Sequence, residues 1–212
     1  MSIYLSARRS FMPIFQRDAK YIIPLFIALI LISYFYIDIP LLYAVHEKNQ
    51  VLRAVASFLS FFTNPFRALF ILPVLFIILK IYKKKESFTF LLLTLSLGLG
   101  TFISFILKWF FGRARPELLL KEHIFGFLFF ETINLESSFP SGHAITAGAI
   151  MGILGCKYPR YAYLFLLLAL LFSFSRIILE QHYFSDILAG IFVGIYSATF
   201  IYSQKGKLCK IH

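Results

Sequence analysis

Phe139–Gly155 reads FPSGHAITAGAIMGILG, and whether this run crosses a membrane decides how the rest of the chain is threaded. Gly142–Gly155 is rich in Ala and Gly and short of the about 20 residues that a roughly 30 Å hydrocarbon core asks of a helix. Two features nonetheless mark a span. Ser141 is a good N-cap, which leaves the backbone N–H groups of Gly142 and His143 at a positive helix end. Ala144, Gly148 and Gly152 recur every four residues, and such small-residue faces let transmembrane helices pack closely. Gly190, Gly194 and Ala198 repeat the pattern near the other end of the chain.

Around this run lie five longer apolar segments, Tyr21–Ile37, Ala68–Tyr82, Phe88–Leu107, Tyr161–Leu179 and Phe184–Tyr202. The second can recruit Asn64–Arg67 or tilt to reach across. The chain is 59% hydrophobic and 19% aromatic, with only 15% charged residues gathered between long uncharged runs. That is the layout of a polytopic helical membrane protein, without the short alternating segments of a barrel. The expected fold is all-α, a six-transmembrane-helix bundle forming a single integral membrane domain over residues 1–212, with no internal repeat. Residues 1–20 read as an interfacial lead-in to an uncleaved first span, for no small-residue cleavage site is evident. Residues 38–63 read as an outer connection, partly helical over Val51–Phe62.

The Lys and Arg distribution orients the bundle. With both termini cytoplasmic, that side holds 13 of the 21 basic residues against Asp18 and Glu86, a net +11, and eight basic and eight acidic residues remain on the other side. The basic balance is therefore a topology signal and does not point to nucleic acid. Cys156 and Cys209 both fall on the cytoplasmic side, and no group of residues has metal-ligand spacing, so neither a disulfide nor a metal is expected. No other cofactor is implied.

The longest connection, Lys108–Phe139, combines Lys108, Arg113, Arg115, Lys121, Glu117, Glu122, Glu131 and Glu136 with the apolar stretch Ile124–Phe130. A long charged loop of this kind tends to be functional. In the six-span threading, three polar groups arrive at the same non-cytoplasmic face: Lys108-x6-Arg115-Pro116, Pro140-Ser141-Gly142-His143, and Ser175-Arg176-x5-His182-x3-Asp186. Arg115 and Arg176 offer planar donors matched to phosphate oxygens, and Lys108 adds a point charge. Together with the helix start at Ser141 and Gly142, they could neutralise a phosphate and the charge that develops during its transfer. His182 and Asp186, four positions apart, share one helical face. Asp186 can then accept a hydrogen bond from one ring nitrogen and leave the other as a nucleophilic lone pair. His143, from another helix, can protonate the leaving oxygen, and an ordinary histidine pKa of roughly 6.5 suits both roles. Taken singly, each cation reads as a snorkelling interfacial residue, and His46, His123 and His212 carry no assigned chemistry.

These three motifs resemble the signature of the type 2 phosphatidic acid phosphatase superfamily, over about residues 88–202. The resemblance implies a six-helix membrane enzyme that hydrolyses a lipid phosphate without metal, through a phosphohistidine. It would make His182 the nucleophile, Asp186 its orienting partner and His143 the general acid, with Lys108, Arg115, Ser141, Gly142 and Arg176 holding the phosphate. Glu117, after Arg115-Pro116, departs from the family's usual basic or small residue. The expected substrate is a lipid phosphate or diphosphate at the periplasmic face of a bacterial inner membrane. Undecaprenyl diphosphate ranks slightly ahead of phosphatidylglycerophosphate and lipid A phosphate. A phosphotransferase would use the same residues. A non-catalytic lipid-phosphate binder or transporter would keep the cations but have no use for His182 and Asp186 together.

The charge asymmetry makes the sidedness testable. Single cysteines replacing Glu122 or Lys84, in a background lacking Cys156 and Cys209, should behave oppositely toward an impermeant thiol reagent in cells with a permeabilised outer membrane. Position 122 should label and position 84 should not; the reverse pattern would place the site in the cytoplasm.

Overall fold

The computed structural model describes residues 19–46, 50–130 and 137–211; the lead-in at residues 1–18 and the loop carboxylates Glu131 and Glu136 lie outside them. Among the described residues the chain forms helices and no strand, with one isolated bridge between Arg113 and Phe127. Helix α1 (Ala19–Ile32) runs through a π-helical turn at Ser33–Ile37 into α2 (Asp38–Val45). Then follow α3 (Gln50–Phe62), α4 (Pro65–Ile81), α5 (Ser87–Phe111), α6 (Pro116–Glu122), α7 (Gly142–Lys157), α8 (Ala162–Ile178), α9 (Phe184–Ser203) and the terminal α10 (Lys205–Ile211).

Local chemistry sets these boundaries. Asn64 caps α4 by accepting from the Arg67 N–H at 3.0 Å, with Pro65 in the first turn, where its missing N–H costs nothing. Helix α5 stops at Gly112, whose left-handed φ of 51° lets its N–H return to the Lys108 carbonyl. Pro116 opens α6, and the peptide bond between Phe139 and Pro140 is cis. Ser141 caps α7 as its sequence suggests, accepting from the Ala144 N–H at 3.5 Å.

Five helical stretches are long and apolar enough to cross a membrane: Lys20–Val45, Gln50–Ile81, Ser87–Phe111, Pro159–Ile178 and Phe184–Ser203. Their outer faces carry aromatics that a soluble protein would bury, such as Phe66, Phe70 and Tyr163 at 76%, 78% and 80% exposed. The first stretch differs from expectation. Residues 38–45 do not open a loop but prolong the first helix, because the Asp38 carboxylate finds partners inside the protein and so need not mark the membrane edge. The helix expected at Val51–Phe62 is present as α3 and packs on α8.

Helix α7 has 16 residues, about 24 Å at the usual rise, and is not among the five stretches. It sits at the centre of the bundle, against α5, α8 and α9. The small-residue stripes explain its closeness to α9. A Cβ on Gly190 would lie 2.6 Å from the Ser141 carbonyl oxygen, and one on Gly152 would lie 2.6 Å from the Ala198 Cβ. A Cβ on Gly194 would meet the Ile145 carbonyl and come within 2.7 Å of the Ala149 nitrogen. The two backbones therefore touch, and nothing larger than glycine fits between them.

Gly194→Ala should for this reason lower the thermal midpoint of the detergent-solubilised protein by several degrees, as overpacking typically costs about 1–3 kcal/mol. Gly98→Ala, also within a helix but with nothing within 4 Å of the added carbon, should leave the midpoint unchanged or raise it, since the change can add up to about 1 kcal/mol of stability. Equal midpoints for the two variants, by thermal-shift measurement, would contradict the backbone contact.

Candidate active site

The packing of α7 on α9 brings the loop motifs together. The Ser141 N–H donates to the Asp186 carbonyl at 3.1 Å, joining the start of α7 to the start of α9. The segment before α7 docks on the one after α5. Ser138 N–H donates to the Arg113 carbonyl at 2.9 Å, Ser138 Oγ to the Ala114 carbonyl at 3.2 Å, and Arg113 N–H to Ser137 Oγ at 3.0 Å. Lys108 Nζ donates to the Ser137 carbonyl.

These contacts surround a cavity of about 370 Å³. Lys108, Arg115, Gly142, His143, Arg176 and His182 all line it, so six of the eight residues singled out from the sequence meet in one space. Ser141 and Asp186 are fully buried behind it, the first as the cap of α7 and the second in the opening turn of α9. The rest of the lining is largely apolar, with Phe66 and Leu69 of α4, Phe105 of α5 and Ile145 of α7, and Thr101 and Ser104 as additional hydroxyls. Glu117 stands outside, exposed and paired with Lys121 at 2.6 Å.

The cavity cations are held from behind. Arg115 Nη1 donates to Gln181 Oε1 at 3.2 Å, and Arg176 Nη1 to Ser60 Oγ at 2.7 Å. The Nε of Arg176 is buried without a hydrogen-bond partner among the described residues. Helix α3 thus reaches the site through Ser60. It also holds the loop before His182, where Arg53 Nη1 donates to Glu180 Oε1 at 2.8 Å and His46 Nδ1 lies 3.4 Å from the same oxygen.

His182 is buried, with 4% of its surface exposed. Its Nδ1 lies 2.9 Å from the Ser138 carbonyl oxygen and 3.7 Å from Asp186 Oδ2. A carbonyl can only accept, so Nδ1 carries the proton and Nε2 keeps its lone pair. The nearer orienting group is therefore a backbone oxygen, with the Asp186 carboxylate further off on the same nitrogen. Burial, joined by Lys108 and Arg176, pushes the His182 imidazole down to about 4 against the opposing pull of Asp186.

Asp186 is instead tied to a partner that the sequence reading left in the loop. Arg113 is 1% exposed and donates from Nη1 to Asp186 Oδ1 at 2.5 Å and from Nη2 to Asp38 Oδ2 at 2.7 Å. A signal for Asp38 existed, since an ionisable residue beside an apolar run of span length is a functional candidate by default. Ser60, Ser138 and Gln181 carried none, for their roles arise from tertiary contacts alone.

The sequence profile of the PAP2 superfamily matches residues 89–209. A lipid A 1-phosphatase from Rhizobium etli is 35% identical over 109 residues, covering 50% of this chain and 47% of the relative; the match thus spans about half of that protein's length. Among solved structures, the crystal structure of Aquifex aeolicus LpxE superposes with a TM-score of 0.60 at 22% identity, covering 81% of this chain and 98% of that one. A PAP2-type phosphatidylglycerolphosphate phosphatase from Bacillus subtilis gives a TM-score of 0.62 at 20% identity, covering 86% and 94%.

Since the pKa of His182 is lowered, its ring stays neutral until the pH falls to about 4, whereas an ordinary histidine titrates near roughly 6.5. In nitrogen NMR of the substrate-free protein, the resonance lost in His182→Gln should report a neutral ring at pH 5.5. A midpoint above 6 would contradict the burial described.

Proposed function

The chain belongs to the PAP2 superfamily, and on that premise we propose that it is a membrane phosphatase that removes phosphate from a lipid. The supporting observation is the composition of one cavity: three cations and two histidines line it together with the apolar side chains of Phe66, Leu69, Phe105 and Ile145. A free sugar phosphate would gain nothing from those apolar side chains. A lipid phosphate gains from both kinds of lining, with its anion among Lys108, Arg115 and Arg176 and its chain against α4 and α5.

Nε2 of His182 attacks the phosphorus in line, and the bond from phosphorus to the lipid oxygen breaks as the bond to nitrogen forms. His143 gives the leaving oxygen its proton. It then takes a proton from water, whose oxygen displaces His182 and releases inorganic phosphate. Lys108, Arg115 and Arg176, with the N–H groups at the start of α7, hold the charge that spreads over the phosphoryl oxygens. The reading needs no metal, because these donors already supply the charge a metal would. Asp186, with Oδ2 3.7 Å from the same Nδ1, steadies the imidazole alongside the Ser138 carbonyl.

We further place the site on the periplasmic side of a bacterial inner membrane, with both termini cytoplasmic, as the charge asymmetry favours. The helix order supports it. Helix α5 runs toward the cavity, α7 away, α8 toward and α9 away, which fits six spans if the short central α7 counts as one. For substrate, the lipid A 1-phosphatase relative moves lipid A phosphate ahead of undecaprenyl diphosphate. Transfer of the phosphoryl group to a second lipid would use the same residues. A binder or transporter has no use for the free lone pair on His182.

The purified protein, given lipid A, phosphatidylglycerophosphate and undecaprenyl diphosphate, should release inorganic phosphate from at least one. Vanadate should inhibit and EDTA should not. His182→Ala should lose at least about a thousandfold in kcat, some 4 kcal/mol of barrier, while still binding the lipid. More than a tenth of the activity left in that variant would rule out the covalent route.

A further inference from the structure

Behind the cavity, and joining Asp186 to two residues that no motif position names, lies a cluster of three buried charges that draws on the first helix of the chain. Asp38, Arg113 and Asp186 are each no more than 1% exposed. Asp38 receives Arg113 Nη2 at 2.7 Å, the Ser185 N–H at 2.9 Å and Ser185 Oγ at 2.5 Å, and that hydroxyl accepts in turn from Arg113 Nη1 at 2.6 Å. Asp186 receives Arg113 Nη1 at 2.5 Å and the Tyr183 N–H at 2.8 Å. Four rings enclose the guanidinium, with centroids at 4.3 Å for Tyr183, 4.9 Å for Tyr34 and 5.4 Å for both Phe125 and Phe127. Tyr34 and Asp38 sit in and just after the π-helical turn of the first helix, and such turns occur often at functional sites.

A second carboxylate is hard to explain as stabilisation. One carboxylate neutralises one guanidinium, and a buried ion pair adds little to stability over apolar packing. Adding Asp38 leaves the cluster with a net negative charge. That excess lies beside a histidine otherwise faced by cations, namely Lys108, Arg115, Arg176 and whatever proton His143 holds. The histidine itself gains positive charge as its Nε2 bonds to phosphorus. A lone Arg113 would bind Asp186 fully and cancel its field at His182. With Asp38 sharing the guanidinium, Asp186 keeps that field.

We propose that Asp38 is a positioning residue for phosphoryl transfer, acting through Arg113 and Ser185 to keep Asp186 negative toward His182. The proposal rests on the reading of His182 as nucleophile. It assigns the first helix, which brings no residue to the cavity wall, a part in the rate of the chemical step. Its effect falls on kcat and not on KM, because neither Asp38 nor Arg113 lines the space where the phosphate sits.

The test compares Asp38→Asn, Ser185→Ala and His182→Ala with the wild type in one detergent, using a short-chain lipid phosphate, with thermal midpoints recorded for each. Asp38→Asn keeps the shape and removes the charge; kcat should drop at least tenfold while KM stays within about twofold. Ser185→Ala removes only the bridging hydroxyl and should lower kcat at least threefold with KM unchanged; it decides the matter if Asp38→Asn does not fold. A folded Asp38→Asn with wild-type kcat, or one altered only in KM, overturns the proposal, as does an unchanged Ser185→Ala where it is the deciding variant. Activity in His182→Ala instead overturns the nucleophile assignment itself, so the two failures are distinguishable.

Discussion

The contact between the backbones of α7 and α9 is the constraint on which the site depends. Gly148, Gly152, Gly190 and Gly194 allow an approach that a single methyl group would prevent. At that distance the N–H that opens α7 can reach the carbonyl of Asp186 in α9. Two motifs separated by some forty residues of sequence thereby share one hydrogen bond. In a bilayer, where helix association gains nothing from expelling water between apolar faces, such close packing supplies much of the attraction. The same feature that holds the bundle together thus also sets the distance between the two histidine-bearing turns.

Around that axis the polar groups form successive layers. The cations and histidines face the cavity. Behind them, Ser60, Gln181 and the carbonyls of Ser137 and Ser138 fix how they point. Behind those lies the charged cluster of Asp38, Arg113 and Asp186, enclosed by rings. Each layer is contributed by a different set of helices, including α3 and the first helix, which lie outside the motif region. A cavity proposed to hold phosphate gains from this depth, because a guanidinium left to choose its own rotamer would lose much of its advantage.

Much of this was legible in the sequence. Hydropathy located the long helices, although the first runs on to Val45 and not to Ile37, and the stripes of Ala144, Gly148 and Gly152 and of Gly190, Gly194 and Ala198 pointed to close helix packing. Six of the eight candidate residues line one cavity. What escaped reading has a physical cause. Asp38 looked like the end of a span because a carboxylate in hydrocarbon is costly, yet its partner Arg113 lies 75 positions away. His182 and Asp186 were expected to share a helical face, but α9 starts only at Phe184, and from the turn before it His182 brings Nδ1 nearer the Ser138 carbonyl than Asp186. No periodicity encodes a carbonyl delivered from another segment. The short α7 gave a weak hydropathy signal for the reason it is central, since Ala and Gly serve packing against protein more than solvation by lipid.

The π-helical turn at Ser33–Ile37 governs how this architecture can vary in length. A π turn holds one residue more than the α-helical turn it replaces, and each residue of an α-helix advances the rotation by about 100°. Excising one residue there would restore a regular helix and leave the segments on either side close to their present rotation. Asp38 would stay opposite Arg113. A regular α-helical stretch has no such slack. A single-codon deletion within this turn is therefore absorbed, whereas one in the stretch before it would rotate the preceding part of the first helix by about 100° against α9, on which it packs.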